Sequence, residues 1–524
     1  MQKETEVKHW ADQTAENIVR EKGEKKLYTC AAGITPSGTI HIGNFREIIT
    51  VELVVRALKK LGKNVRFIYS WDDFDVFRKV PADAPKKEIL EKYLRYPITD
   101  VPDTYDNKHS SYAEHNEKEV EETIPIVNIR PEFIYQAKKY RNCGYAEQIK
   151  HALENKDEIK KILDKYRAEE KSKGWWPVSV FCDKCKKDTT RVLEWDGEYT
   201  LTYECDCGHK ETFDFRKKGI AKLPWRIDWP MRWHYEKVDF EPGGKEHSTH
   251  GGSRTTAKEI FELLYKEKPP IYLKYDFITI KGTGGKISKS LGNVVSLRDT
   301  LEIYEPNIVR WLFAGTRPDA EFAISFDLDV LKFYEDFDKV ERIYFDKEEV
   351  KDQKEKSKQK RIYELSVTEL PKKMPLQVPF RHLTNLLQIY NNDFNKIKEI
   401  YKKEIKEDYD LKKLKNRCDC IWNWLQKYAP EEFRFKVQNE VKVKLDEKEK
   451  KALLLLKEKL EKNDYTEQKL FEEFYNICKE TGIDNKDFFK AAYKVLINKE
   501  RGPKLANFIL ELGKERVIGL LDKI

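Results

Sequence analysis

The sequence predicts a parallel α/β domain interrupted by a short-stranded, cysteine-bearing insertion and followed by an all-helical final third. Three observations carry that prediction. Residues 28–75 run strand, turn, helical repeat, strand. Four cysteines lie among closely spaced turns between Cys182 and Cys207. Beyond Phe345 the chain is Lys/Glu-rich and amphipathic almost to Ile524. With 524 residues, 40% of them hydrophobic, the protein can bury more than one core.

The elements follow in order. "LYTCAAGI", ending at Ile34, is an apolar run closed by glycine and predicts a buried strand. From His41 the apolar positions Ile48, Val51, Val55 and Leu58 recur at helical spacing, and Gly62 ends the helix. "NVRFIYSWDDFD" predicts a second buried strand that ends in acids. Strand, helix, strand in this order is a parallel α/β unit. Residues 146–174 read as charged helix, and "GWWPVSVFCDKC" to "CDCGHKETFDFR" as short strands with turns, an insertion over about 146–220 with its cysteine segment at 175–215. "PPIYLKYDFITIKG" predicts a later strand, and "KEEVKDQKEKSKQKR" a hinge or exposed helix before the helical region.

Composition narrows the class. No run of 18 apolar residues occurs, so no membrane span is expected, and the N-terminus lacks the apolar core of a signal peptide. Nine cysteines and no export signal argue against a disulfide framework. A cytosolic protein is expected. The net charge of +8 is uneven: from Asp346 onward there are 41 Lys+Arg against 33 Asp+Glu, and 59 of each before it. A basic helical region beside a neutral domain favours a polyanionic partner.

Two stretches carry chemistry. In "TPSGTIHIGN", Thr35 to Asn44, a strand passes through Pro36, Ser37 and Gly38 into a helix that starts near His41. Free backbone donors and the helix dipole favour an anion there, His41 can donate to a phosphate oxygen, and Gly38 and Gly43 permit close approach of a nucleotide. In "IKGTGGKISKSLGN", Ile280 to Asn293, a strand ends in glycines, and Lys286 and Lys289 follow with Ser288 and Ser290. Two lysines on a glycine-rich loop suit the charge that develops on a triphosphate as it reacts.

Together "HIGN" and "KISKS" resemble the two signatures of class I aminoacyl-tRNA synthetases. The wider stretches "AAGITPSGTIHIGNFRE", "RFIYSWDDFDVFRKVP", "LPWRIDWPMRW", "GGKEHSTHGGSR" and "YDFITIKGTGGKISKSLGN" resemble the class I lysyl-tRNA synthetases, and with the tail the likeness covers nearly the whole chain. The resemblance implies a Rossmann-type (HUP-like) catalytic domain over residues 1–330, and a helical stem-contact and anticodon-binding region over 331–524. It implies ATP and Mg²⁺, L-lysine and tRNA(Lys) as reactants and partners, and a lysyl-adenylate intermediate; a monomer is expected. It gives His41, Asn44, Lys286 and Lys289 the catalytic role. Around ATP it sets Pro36, Ser37, Gly38, Gly43, His250, Ser288 and Ser290, and around the amino acid Gly33, Thr35, Trp225, His247 and Tyr275.

The residues can be weighed beside the resemblance. A glutamate site needs a cation, and "TCAAGITPSG" holds no Arg or Lys. A lysine site needs carboxylates and aromatic faces. Asp72, Asp73 and Asp75 follow the second strand, and Asp228 stands among Trp225, Trp229 and Trp233; spacing does not say which carboxylate meets the ammonium. The alternatives are a glutamyl-type enzyme, a small-cofactor nucleotidyltransferase, and a synthetase-like RNA-binding protein without catalysis. Cys182-x2-Cys185 and Cys205-x-Cys207, nineteen residues apart, have the spacing of a structural zinc site, with Cys207 preferred over His209 as fourth ligand. Asp103, His109 and His115 resemble a second zinc stretch of some lysyl enzymes, but Lys108 stands at its cysteine position and no metal is expected there. Trp422, Trp424, Tyr428, Phe433 and Phe435 lie among basic residues, suited either to stacking on unpaired bases or to a helical core.

Overall fold

Four parallel strands frame the site: β1 (Tyr28–Ile34), β2 (Val65–Trp71), β3 (Glu132–Tyr135) and β9 (Val238–Phe240), in the order β3–β2–β1–β9. The structure is a computed structural model and describes residues 8–172, 174–281, 285–286 and 294–524. The chain forms two compact units. One comprises 1–300, 306–324 and 349–370, and the other 301–305, 325–348 and 371–524.

In the first unit β1 and β2 pair over their whole length, Tyr28 beside Val65 and Ile34 beside Trp71. Gly33 sits beside Ser70 in that register, and a Cβ on Gly33 would lie 2.8 Å from the Ser70 carbonyl oxygen. Helix α1 (Trp10–Lys22) precedes the sheet, and α2 (Ile42–Lys60) connects β1 to β2. Ile48, Val51, Val55 and Leu58 of α2 are all buried, the face that their spacing predicts. The Asn44 side-chain oxygen accepts from the His41 backbone N–H at 3.3 Å, closing the helix start.

The insertion has a helix at Ala146–Glu154 and α3 (Lys156–Asp164), then strands β4 (Ser179–Val180), β5 (Thr190–Trp195), β6 (Thr200–Cys205), β7 (Lys210–Asp214) and β8 (Ala221–Lys222). β5, β6 and β7 form an antiparallel sheet, while β4 and β8 pair with each other, Ser179 beside Lys222. The chain then enters α4 (Trp225–Tyr235), β9, β10 (Gly243–Gly244) and α5 (Ser253–Tyr265). Next come β11 (Lys274–Tyr275), paired parallel with β10, and a small sheet of β12 (Ile278–Ile280), β13 (Gly285–Lys286) and β14 (Phe322–Ile324).

One side chain ties these parts together. The Arg46 guanidinium on α2 donates to four backbone carbonyls: Asp276 at 2.9 Å, Phe277 at 3.1 Å, Arg317 at 2.9 Å and Ala320 at 2.7 Å. Burial lowers its pKa to about 10, against the opposing pull of Asp276. A second buried guanidinium, Arg310, donates to Glu52 at 2.6 Å, to the Leu365 carbonyl at 2.8 Å and to the Val127 carbonyl at 3.0 Å. The charged stretch after Phe345 contains a helix, Gln353–Ser366, which belongs to the first unit and buries Ile362, Tyr363 and Leu365.

The second unit is helical: α6 (Asp329–Tyr344), α7 (Phe380–Ile389), α8 (Asp408–Lys427), α9 (Glu447–Lys462), α10 (Glu467–Thr481), α11 (Asn485–Ile497), α12 (Leu505–Leu512) and α13 (Lys514–Leu521), with a short helix at Phe394–Ile400. Arg417 on α8 is fully buried and pairs with Glu305 at 2.6 Å and Asp338 at 2.8 Å. The last five helices share one core around Leu453, Phe474, Phe488 and Phe508. Asp446 accepts from the Glu449 N–H and Glu449 accepts in return, so a reciprocal cap starts α9. No helix among the described residues is long and apolar enough to cross a membrane.

Replacing Arg46 with Met removes the guanidinium donors from four carbonyls at once, and of these the Arg317 carbonyl keeps the Ala320 N–H. Arg46→Met should destabilise the first unit by about 3 kcal/mol. Calorimetry should show a transition several degrees lower, and an unchanged transition would refute the role of this hub.

Candidate active site

The carboxyl ends of β1 and β2 open into a cavity of about 720 Å³. β1 and the turn after it supply Gly33, Thr35 and Ser37, and α2 supplies Asn44 and Glu47. The end of β2 gives Ser70, Asp72 and Asp75. The rest of the lining comes from Trp225 and Trp229 of α4, Glu241 and Gly243 after β9, then His247 and Tyr275. This is where open parallel sheets bind ligands.

The carboxylates of the cavity fall into two groups. Asp72 and Asp75 are paired. Arg232 donates to Asp72 at 2.5 Å, while burial still raises the Asp72 pKa. Lys222 from β8 meets Asp75 at 2.7 Å, and Thr35 Oγ1 donates to the same carboxylate at 3.2 Å. Burial works against the Asp75 charge, but the neighbouring Lys222 and Arg232 win and lower its pKa. Asp228 lies beneath, taking the Tyr140 hydroxyl and lying 3.3 Å from Arg232 Nε. Glu47 and Glu241 differ. Among the described residues neither has a cation within ion-pair distance. Glu47 accepts from the Gly33 N–H at 2.9 Å and from the Tyr275 hydroxyl at 2.7 Å, and burial pushes its pKa up to about 8. Glu241 accepts from Trp229 Nε1 at 3.0 Å and from Trp233 Nε1, and burial raises its pKa as well.

Aromatic faces complete this wall. Trp225 stacks on Trp229 at 5.0 Å, and the His247 ring meets the Trp229 edge at 5.9 Å. His247 Nδ1 lies 2.7 Å from Ser253 Oγ.

The sequence-predicted residues divide by position. Gly33, Thr35, Ser37, Asn44, Asp72, Trp225, His247 and Tyr275 line the cavity. Asp73 does not; its carboxylate accepts from the Ala137 N–H at 2.7 Å at the start of the helix Gln136–Arg141. His41 and Asn44 line a smaller cavity behind α2. A Cβ on Gly43 would lie 2.8 Å from His41 Nδ1, so the glycine leaves room for the imidazole. Pro36 and Gly38 lie in the intervening turn, and His250 packs against Tyr166 at 5.2 Å. The Lys286 backbone pairs with Thr279, while the Lys286 side chain and Ser288, Lys289 and Ser290 lie outside the described residues. Both flanks of that segment are anchored at α2: Arg46 holds Asp276 and Phe277, and Ile42 N–H donates to the Val295 carbonyl at 2.7 Å. Sequence reasoning missed Glu47 and Glu241. Glu47 has a legible signal, an acid among the apolar positions on the inner side of α2.

The Sγ atoms of Cys182, Cys185, Cys205 and Cys207 all lie within 4.8 Å of one another. Cys182 and Cys207 are 3.8 Å apart, Cys185 and Cys205 3.6 Å. Sulfur atoms about 2.3 Å from a tetrahedral zinc would be about 3.8 Å apart, so the four thiols fit that ion. His209 instead lies 3.4 Å from Glu211 and edge-on to Tyr203. Elsewhere Asp106, His109 and His115 cluster, while Asp103 accepts the N–H groups of Tyr105, Lys108 and His109. In the second unit Trp424 is a core residue whose Nε1 donates to the Phe326 carbonyl at 3.1 Å, whereas Tyr428 is exposed.

Residues 8–369 match the family described as tRNA synthetases class I (K), and residues 382–524 match the anticodon binding domain family. The lysine–tRNA ligase of Borrelia garinii subsp. bavariensis is 52% identical over 98% of this chain and 99% of its own length. That of Treponema pallidum is 46% identical over 98% of each chain. That of Pyrococcus furiosus is 42% identical over 97% of this chain and 98% of its own.

The paired acids allow a test that is independent of these likenesses. Lys222→Met leaves the Asp75 charge with only Thr35 and the more distant Arg232, and should cost about 1–3 kcal/mol. Adding Asp75→Asn should recover a large part. A double variant no more stable than the single would refute the coupling.

Proposed function

The chain belongs to the class I (K) tRNA synthetase family, and from that premise we propose how it attaches lysine to tRNA. The observation that carries the substrate reading is the pair Glu47 and Glu241, two half-buried carboxylates with no cation within ion-pair distance among the described residues, in a cavity walled by tryptophan. An ammonium ion is the missing partner. Glu47 meets the lysine ε-ammonium, Tyr275 orients Glu47, and Trp225 with His247 covers the aliphatic chain. A glutamate side chain would meet carboxyl groups here rather than a cation.

ATP lies over the turn from Pro36 to Asn44, with His41 and Asn44 on its phosphate side. A lysine carboxylate oxygen attacks the α-phosphorus, and the bond to the β-phosphate oxygen breaks. Pyrophosphate leaves, and Lys286 and Lys289 offset the charge gathering on it, with Mg²⁺ bound to the phosphates. A terminal ribose hydroxyl of tRNA(Lys) then attacks the carbonyl carbon and AMP departs. Residues 382–524 hold the anticodon end. A zinc ion on Cys182, Cys185, Cys205 and Cys207 would be closed to substrate and would stabilise the insertion.

Charging assays with ATP, Mg²⁺, total tRNA and each amino acid in turn test the reading. Lysine alone should be attached; attachment of glutamate would overturn the pocket assignment. Elemental analysis should give about one zinc per chain, lost in Cys207→Ser and kept in His209→Ala. The pH dependence has a fixed sign. In the free pocket Glu47 titrates at about 8 and is neutral below that pH. Lysine needs the ionised form, so binding releases a proton and affinity falls as the pH drops below 8, approaching tenfold per pH unit. Glu47→Gln should raise the lysine KM about 100-fold and flatten this profile. A variant that keeps the slope would acquit Glu47.

A further inference from the structure

Two cations of the cavity have no part in the scheme above. Arg78 and Lys79 line it on the segment that follows β2, and both are exposed. Their backbone is fixed. Phe77 donates its N–H to the Tyr96 carbonyl at 2.8 Å and accepts from the Arg95 N–H at 2.9 Å. Val76 bridges Pro97, and the Phe77 ring is buried against Tyr112 at 5.6 Å. The cations therefore project from an anchored strand-like segment rather than a free loop.

The nearby acids are already engaged. Asp75 is held by Lys222 and Asp72 by Arg232. Asp188, on the insertion side of the cavity, is held by Arg95 at 2.7 Å, and Arg78 adds a weaker electrostatic pull without forming an ion pair. Among the described residues Arg78 and Lys79 make no hydrogen bond or ion pair. Among the described residues the cavity is thus bipolar, with half-buried carboxylates outside any ion pair and, at its rim, exposed cations outside any ion pair.

We infer that Arg78 and Lys79 form a phosphate-binding lip of this cavity. A guanidinium fork beside a lysine point charge matches phosphate oxygens, and the exposed rim suits an anion that arrives from solvent. The inference rests on the lysine-charging reading, in which two reactants bring phosphate to the cavity. They are the triphosphate of ATP and the phosphodiesters at the 3′ end of tRNA.

The test compares wild type, Arg78→Ala/Lys79→Ala and Arg78→Lys. Steady-state charging is measured with ATP, tRNA and lysine varied in turn, alongside filter binding of labelled ATP and of tRNA. In the double variant the KM for a phosphate-bearing substrate should rise about tenfold or more, while that for lysine changes by less than about twofold. Arg78→Lys should recover part of the loss. A rise confined to tRNA assigns the lip to the phosphodiester, and one confined to ATP assigns it to the triphosphate. Unchanged KM and unchanged binding for both overturn the proposal. If wild type fails to charge lysine, the lysine reading falls, and the filter-binding comparison alone then decides the lip.

Discussion

A single guanidinium governs the geometry of the first unit. Arg46 stands on the helix that begins with His41, and its four acceptors lie on the segments leading into β12 and β14. The two signature stretches are some 240 residues apart in sequence, and helix packing alone would not fix their register. Four directional bonds do. A carboxylate partner would satisfy the charge with fewer constraints; carbonyl acceptors spend the charge on backbone position instead. The bond from Ile42 N–H to Val295 fixes the far flank in the same way.

The same economy shapes the cavity. Burying a carboxylate is costly unless it is paired or protonated. Asp72, Asp75 and Asp228 are paired, through Arg232 and Lys222, and they set the shape of the wall. Glu47 and Glu241 receive only neutral donors, from a backbone amide, a phenol and two indoles. Those donors orient the carboxylates without neutralising them. Rigidity and the capacity to take up an ammonium ion thus reside in different acids of one cavity.

Much of this was legible in the sequence. The strand–turn–helix at residues 28–60 follows from apolar spacing, and the cysteine cluster from its own. Asp72 could be placed in the cavity, but its neighbour Asp73 points to the Gln136–Arg141 helix, because adjacent residues after a strand face opposite ways and spacing does not say which faces in. Glu47 escaped notice because an acid inside an apolar helical face looks like an exposed residue until Tyr275 and the Gly33 amide are seen against it. Trp424 could have served RNA or core; its burial makes it core, a matter of which helix face packs inward. The division into units was the least legible. It depends on Gln353–Ser366 packing back into the first unit, although its charged sequence reads as a linker.

That return has a consequence for how the protein is made. The fully buried Arg310 takes one of its acceptors from Leu365, and Arg361 pairs with Asp12 of the first helix at 2.6 Å. A nascent chain emerging from the ribosome therefore exposes its amino-terminal helix and sheet long before their closing helix is synthesised. At roughly 5–20 residues per second, that wait lasts tens of seconds. During it the buried surface meant for Ile362 and Leu365 is open to solvent and to other chains. The first unit is complete only once residues 353–366 have been made, well past the point where the sequence pattern changes.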